Sequence, residues 1–162
     1  MSEISLVLTR RSVLGAGIML SLGLAAPAKA QSLPEIAVSK DPSCGCCAAW
    51  ADHLRAAGFP VKVTPQPDMD AVKARLGVPG ALASCHTAEV AGYVLEGHVP
   101  ASAVLRLLKE RPQAKGLAVP GMPIGSPGME GGSPETYEVM LFGEHPARPF
   151  AIYRGSDVLR NL

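Results

Sequence analysis

The sequence has few aromatic residues and no block of like charge. Aromatic residues make up 4% of the 162-residue chain, and its formal net charge is +1 at pH 7. Proteins that bind nucleic acid or an anionic membrane surface usually concentrate lysine and arginine in one segment or on one face. We therefore expect neither as a partner, and the length suits one domain.

The chain also lacks an apolar run long enough for a stable membrane anchor. The run from Val13 to Ala26 has 14 residues, whereas a membrane-spanning helix needs about 20. Arg10 and Arg11 precede the run, and Ala28 and Ala30 are the small residues that a signal peptidase reads. This pattern predicts a cleaved signal peptide, and the paired arginines favour the twin-arginine type.

The predicted signal peptide comprises residues 1–30, with cleavage near Ala30, and the mature domain comprises residues 31–162. The mature part carries 12 basic and 13 acidic residues, so it has almost no net charge. Export of this kind predicts a periplasmic location.

The four cysteines do not have the spacing of a structural disulfide framework. An exported protein with four cysteines ordinarily forms two disulfides. Cys44, Cys46 and Cys47, however, lie within four residues, so a bridge among them would close a small loop and constrain the unfolded chain little. A bridge between the neighbours Cys46 and Cys47 would also be strained. The thiols, with Cys85 as the fourth, therefore indicate a functional site.

The apolar pattern of the mature chain predicts an α/β domain with the order β-α-β-α-β-β-α. That order is the thioredoxin-like arrangement, with a parallel first pair of strands and an antiparallel second pair. The predicted strands are residues 35–39, 59–64, 86–90 and 93–96, and the predicted helices are residues 44–57, 68–76 and 101–110. Residues 115–134 are rich in Gly and Pro, which predicts a loop and excludes a helix or a central strand. A C-terminal β-hairpin of residues 136–142 and 149–154 would follow.

The run Cys44-Gly45-Cys46-Cys47 lies where a predicted strand ends and a predicted helix begins. Cys44 and Cys47 are three residues apart, so they share one face of a first helical turn. The helix N-terminus lowers the pKa of a thiol and favours the thiolate. Both a C-x-x-C dithiol and a metal site need this, but only a metal site gains from a third thiol at Cys46.

The position of Cys85 depends on where the predicted hairpin turns. If Ala91-Gly92 is the turn, Cys85 and His86 begin the third strand beside the end of the first, and His98 returns to the same place. Neighbours in an extended strand point to opposite faces, which favours Cys85 over His86 as a ligand. Alternatively, Val78-Pro79 faces the cysteine run, and Cys85 then lies about 15–20 Å away.

Four thiolates with little carboxylate nearby exclude calcium and magnesium and leave copper(I), zinc or an iron–sulfur cluster. Adjacent Cys46 and Cys47 fit the usual spacing of zinc sites poorly. Closely spaced thiolates that bridge ions suit a polynuclear copper(I) cluster better. Met122 and Met129 could add thioether ligands, which suit copper(I), or they could pack the Gly/Pro-rich loop onto the core.

Three other residues have simpler interpretations. His53 is predicted to lie on the solvated side of its helix, and His145 in a turn between the last two strands. Trp50, three residues after the cysteine run, is predicted to lie in the core.

Several spaced motifs together resemble one known family, the CopG-type periplasmic metal-binding proteins, long described as a domain of unknown function. The motifs are Cys44 to Cys47, Ser84 to Thr87, Gly92 to Pro100, Gly116 to Pro123 and Gly125 to Met129. The resemblance implies a thioredoxin-like fold, a periplasmic location, a role in copper resistance and a copper cluster bridged by cysteines. The implied ligands are Cys44, Cys46, Cys47 and Cys85, with His86 and His98 as further candidates.

We therefore expect a periplasmic protein that binds copper(I), with copper ions as its partners, and that sequesters or detoxifies the metal. Two alternatives are a thiol or copper oxidoreductase that uses the Cys44–Cys47 dithiol, and a metallochaperone that delivers copper to other periplasmic copper-handling proteins. Cys46 stands where thioredoxins usually have proline, so ordinary disulfide exchange is not expected.

Overall fold

The computed structural model describes residues 32–143 and 146–162, which form an eight-stranded mixed sheet with three α-helices. The predicted signal peptide and His145 lie outside these residues. Within the described part, no helix is both long and apolar enough to span a membrane. The helices are α1 (Cys46–Ala56), α2 (Met69–Leu76) and α3 (Ala101–Glu110). The strands are β1 (Ile36–Lys40), β2 (Val61–Pro65), β3 (His86–Val90), β4 (Tyr93–Glu96), β5 (Gly116–Ala118), β6 (Thr136–Phe142), β7 (Arg148–Arg154) and β8 (Asp157–Asn161).

The first four strands and three helices follow the predicted β-α-β-α-β-β-α order. Strand β1 runs parallel to β2 and antiparallel to β3, and β3 forms a hairpin with β4. Val90 pairs with Tyr93, so the turn is Ala91-Gly92, as predicted. The alternative register is therefore wrong, and the start of β3 and the end of β4 lie beside the end of β1.

Local sequence signals set the helix ends. The Asp68 carboxylate accepts the Ala71 N–H at 2.9 Å and caps α2, which ends at Leu76 before Gly77, where the sequence predicted its end. Helix α1 begins at Cys46, two residues later than predicted, because Cys44 is held in a turn in which its N–H donates to the Asp41 carbonyl at 3.1 Å.

The prediction that the Gly/Pro-rich stretch contains no central strand is wrong. Strand β5 lies inside the sheet, parallel to β4 and antiparallel to β6. Gly116 allows this, because a Cβ there would lie 1.8 Å from the Val94 carbonyl oxygen. Glycine in this strand marks a close backbone approach that a propensity argument does not register.

The predicted C-terminal hairpin is present as β6 and β7, but it continues into a third strand. Strand β8 pairs antiparallel with β7 and forms one edge of the sheet. All five of its residues are exposed, so its sequence lacks the alternation of apolar and polar residues that identifies a half-buried strand.

The helices cover both faces of the sheet. Trp50 of α1 and Leu107 of α3 belong to one buried cluster with Leu95 of β4. The next residue back along β4, Val94, points to the other face and belongs to a second cluster with Val72 of α2. Helices α1 and α3 therefore lie on one face and α2 on the other, and the N-terminus of α1 meets the ends of β1 and β4.

Candidate metal site

Four thiols meet at this end of the sheet. The Sγ atoms of Cys44, Cys46, Cys47 and Cys85 all lie within 4.8 Å of one another. Cys44 and Cys47 form a disulfide, with their Cα atoms 5.7 Å apart, whereas Cys46 and Cys85 are free. The Sγ atoms of Cys44 and Cys46 are 3.6 Å apart. The structure thus brings Cys85 to the other three, where the hairpin prediction put it.

The Cys44–Cys47 disulfide was not anticipated by the argument against structural bridges. The bridge spans a sequence separation of three, so it removes little entropy from the unfolded chain and contributes little to stability. A bridge of this kind at a helix N-terminus, next to two free thiols, has the features of a reactive pair. The structure therefore shows the cluster in its oxidised form.

The turn before α1 is held by its own side chains. Lys40 Nζ donates to the carbonyls of Asp41 at 2.9 Å and of Cys44 at 3.0 Å. The Ser43 N–H donates to Asp41 Oδ1 at 2.7 Å. These contacts fix the backbone that presents Cys44.

Cys85 lies between two imidazoles. Its Sγ is 3.2 Å from His86 Nδ1 and 3.2 Å from His98 Nε2. Strand β3 begins only at His86, so Cys85 precedes the extended segment, and the two neighbours do not point to opposite faces as a continuous strand would require. Cys85, His86 and His98 form a second donor set within 4.8 Å, and Cys85 belongs to both sets.

The tautomer of His98 follows from its hydrogen bond to a loop carbonyl. His98 Nδ1 lies 2.7 Å from the Pro127 carbonyl oxygen, which can only accept. Nδ1 therefore carries the proton, and the lone pair on Nε2 faces Cys85. Burial lowers the pKa of His98, which keeps the ring neutral. A neutral imidazole with its second nitrogen bonded to a carbonyl is the usual arrangement of a metal-ligating histidine.

His86 is fully buried against Trp50. The ring centroids are 4.2 Å apart, and Trp50 Nε1 donates to the Val99 carbonyl at 2.9 Å. The prediction of a core tryptophan is confirmed, since Trp50 is 0% exposed. Burial, followed by unfavourable electrostatic interaction of a protonated ring with His98 and Lys73, lowers the pKa of His86 to about 3. Among the described residues, His86 Nε2 is a buried polar atom without a hydrogen-bond partner.

Cys85 is a protonated thiol in this environment. Burial, followed by the neighbouring Cys46 thiol, raises the pKa of Cys85 to about 11. Sulfur ligates metal as the thiolate, so a cation that binds here must displace the proton.

The loop between β5 and β6 covers the cysteine run. The Ser84 hydroxyl donates to the Gly121 carbonyl at 2.6 Å, and Gly128 lies against the first turn of α1. A Cβ at Gly128 would lie 2.8 Å from the Cys46 carbonyl oxygen and 2.8 Å from the backbone nitrogen of Trp50. The φ angle of Gly128 is +89°. Only glycine fits so close a contact in this conformation. The loop therefore packs directly against the first turn of α1, which carries Cys46.

The two loop methionines differ in exposure. Met122 is 51% exposed, so it does not pack the loop onto the core. Met129 is half-buried, and its N–H donates to the Ser126 carbonyl at 2.7 Å.

His53 is not solvated as predicted. It is half-buried, and its Nε2 accepts the N–H of Ala101 at 3.0 Å, which caps the start of α3. Burial lowers the pKa of His53. One signal in the sequence could have pointed to this contact, because α3 follows Pro100 and has no Ser, Thr, Asp or Asn at its N-cap.

A buried polar group beside Cys85 was also missed. Lys73, Thr87 and Glu96 hydrogen-bond to one another on the α2 face of the sheet. The sequence offered one signal for this group, because Glu96 is a charged residue that directly follows the apolar run Tyr93-Val94-Leu95 in a predicted strand.

Comparison with known proteins gives one consistent result. A family model described as "Protein of unknown function, DUF411" matches residues 82–129, and no curated protein matches the chain. Two solved structures are similar to it, titled "Copper resistance protein copG- Form 1" and "Copper resistance protein copG- Form 2". Each is 47% identical with a TM-score of 0.71; the matches cover 76% and 75% of this chain and 99% and 98% of the solved chains. The chain therefore belongs to the CopG family of copper resistance proteins.

Proposed function

We propose that the protein binds copper(I) through the thiolates of Cys44, Cys46, Cys47 and Cys85 and sequesters the metal in the periplasm. The observation that carries this proposal is the convergence of the four sulfur atoms within 4.8 Å. The titles of the two similar structures name copper resistance, which supports copper over the other soft metals.

The chemistry of the donor atoms favours copper(I). Among the described residues, both donor sets consist only of cysteine and histidine, with no carboxylate. Thiolate and imidazole ligands suit copper(I), whereas calcium and magnesium require oxygen. Four sulfur atoms at this spacing can each bridge two ions, so the site suits a polynuclear cluster. His98, and with it His86, would supply nitrogen ligands on the side of Cys85.

Loading requires reduction of the disulfide. In the oxidised form, Cys44 and Cys47 have no thiolate to offer, and only Cys46 and Cys85 remain free. Two electrons and two protons convert the bridge into two thiols, which lose their protons when copper(I) binds.

Competition for copper(I) by a coloured chelator tests the proposal. Fully reduced protein is titrated without oxygen against bathocuproine disulfonate, and the bound metal is counted by elemental analysis. We expect more than one copper(I) per chain, and lower occupancy in Cys46→Ser and Cys85→Ser. Ala49→Ser is the matched control, because it adds a hydroxyl on the exposed side of α1 and removes no sulfur. A product that holds only zinc, or no metal, when copper(I) is supplied would refute the proposal.

The Cys44–Cys47 disulfide supports a second candidate, a copper oxidoreductase. In that reaction the dithiol gives one electron to each of two copper(II) ions, and the products are the disulfide, two protons and two copper(I) ions. Turnover with copper(II) and a thiol reductant measures it. Full activity in Cys46→Ser would favour this simple dithiol. If Cys46→Ser loses both the activity and the binding of copper(I), the four-thiolate cluster is favoured.

We also propose that residues 1–30 direct export and are then removed. The sequence pattern around Arg10, Arg11 and Ala30 supports this step. N-terminal sequencing of protein from the periplasmic fraction should begin at Gln31. Replacement of both arginines by lysine should retain the precursor in the cytoplasm if the twin-arginine route is used, and unchanged export would exclude that route.

A further inference from the structure

A buried ionic network lies directly behind Cys85. Glu96 is 0% exposed, and its Oε1 accepts from Lys73 Nζ at 2.5 Å. The Thr87 hydroxyl donates to Glu96 Oε2 at 2.6 Å and accepts from Lys73 Nζ at 2.9 Å. Thr87 and Glu96 are cross-strand partners on β3 and β4, so both side chains face α2, which carries Lys73.

The same carboxylate holds the backbone that leads into Cys85. Glu96 Oε1 also accepts the Ser84 N–H at 2.6 Å. The network therefore contacts the chain immediately before Cys85, at Ser84, and two residues after it, at Thr87. The Ser84 hydroxyl in turn donates to the Gly121 carbonyl of the covering loop.

Stability alone does not account for this arrangement. The buried cluster on this face is apolar and includes Val72, Leu76, Val94 and Phe142. Burying a carboxylate and an ammonium together costs solvation free energy that their attraction often does not recover, and apolar residues in their place are frequently neutral or stabilising. The network does, however, satisfy the Ser84 N–H at a point where the chain has not yet entered β3.

We propose that Glu96, together with Lys73 and Thr87, is a positioning group that fixes the Ser84–Cys85 backbone so that the Cys85 sulfur meets the other three. The proposal rests on the copper(I) function above and extends it to residues that do not touch the metal. Outer partners of ligand residues typically change metal affinity about 10- to 100-fold when removed.

Thr87→Val and Thr87→Ser form the central test. Valine keeps the shape of threonine but removes the hydroxyl, so Glu96 loses one donor and Lys73 loses one acceptor. Serine keeps the hydroxyl and both hydrogen bonds. Glu89→Gln is the matched control, because Glu89 lies on the same strand and pairs with Arg75 of α2 at 3.5 Å, but on the exposed surface. Glu96→Gln is the stronger perturbation, and Thr87→Val serves where that variant does not fold.

Two measurements report on Cys85 in particular. In copper-loaded protein, alkylation by iodoacetamide is quantified for the Cys46 and Cys85 peptides separately. In metal-free protein with the Cys44–Cys47 bridge intact, diamide oxidation measures how readily Cys46 and Cys85 form a disulfide. Copper(I) affinity is measured by chelator competition.

For Thr87→Val we expect about 10- to 100-fold weaker copper(I) binding, faster alkylation of Cys85 than of Cys46, and less cross-linking. Thr87→Ser should restore all three, and Glu89→Gln should match the wild type. The proposal would be overturned if folded Thr87→Val had the copper(I) affinity and the cross-linking yield of the wild type. Equal alkylation rates of Cys46 and Cys85 in this variant would also overturn it. If wild-type protein does not bind copper(I), the proposed function fails, and the cross-linking yield alone then decides for or against positioning.

Discussion

The hydrogen bond between His53 and α3 makes a prediction that does not depend on metal. Replacing His53 by Ala removes the acceptor for the Ala101 N–H, which is the first helical amide of α3 and has no side-chain cap from Pro100. Loss of an N-cap acceptor costs about 1 kcal/mol, within a range of about 0.5–2. At neutral to mildly basic pH, we expect His53→Ala to lower the free energy of unfolding by this amount.

The pH dependence of this contribution follows from the charge state of the ring. Only a neutral imidazole can accept the Ala101 N–H, and burial lowers the pKa of His53 below 6.5, while Glu130 partly opposes the shift. Between the lowered pKa and 6.5 the unfolded chain binds a proton that the folded chain does not. Stability from His53 is therefore fully present above pH 6.5 and declines as the pH falls, by up to about 1.4 kcal/mol per pH unit.

Urea denaturation of metal-free protein between about pH 5 and pH 8 measures the effect, with the fluorescence of the single tryptophan, buried Trp50, as the signal. His86 and His98 also have lowered pKa values, so the informative quantity is the difference between wild type and variant, in which their effects cancel. The gap between wild type and His53→Ala should narrow as the pH falls. His53→Gln offers an acceptor that does not titrate. Its contribution to the free energy of unfolding should therefore persist and should not vary with pH. A gap of constant size across the range would refute the reasoning.

Three further predictions concern the candidate site, two of them its packing and one its affinity for copper(I). Gly128→Ala should lower the free energy of unfolding by at least about 1 kcal/mol, because its Cβ would meet the Cys46 carbonyl oxygen at 2.8 Å. An unchanged urea midpoint would contradict this close contact, and Gly80→Ala, where a Cβ meets no atom within 4 Å and φ is not positive, is the control. Trp50→Phe should lower the free energy of unfolding by about 1–3 kcal/mol, because it leaves the buried Val99 carbonyl without its donor. Thermal unfolding followed by circular dichroism measures this, and a loss of stability no greater than that of the exposed control Leu159→Ala would argue against it. His98→Gln should weaken copper(I) binding about 10- to 100-fold in chelator competition, whereas His53→Gln should not, and equal affinities would remove His98 from the ligand set.

Much of the first half of the domain could be predicted from local patterns. Asp68 and Gly77 bound α2, and Ala91-Gly92 turns the β3–β4 hairpin, because caps and tight turns depend on a few neighbouring residues. The position of this turn fixes where β3 begins, and an antiparallel β3 begins beside the end of β1. The turn was therefore sufficient to place Cys85 next to the run of three cysteines. Strand β5 could not be predicted, because a three-residue strand made possible by the close approach of Gly116 to Val94 has no periodic signal.

The sequence by itself determined which soft donor side chains are candidates for a metal site and, through the hairpin turn, that all four thiols lie at one end of the sheet. Only the tertiary structure decided how each of these candidate ligands is held. The tautomer of His98 depends on the Pro127 carbonyl, which lies 29 residues away, and the Cys85 backbone depends on Glu96 and on Lys73 from α2. These contacts join segments that are distant along the chain, and a hydrogen bond between distant segments leaves no local pattern from which it could be read.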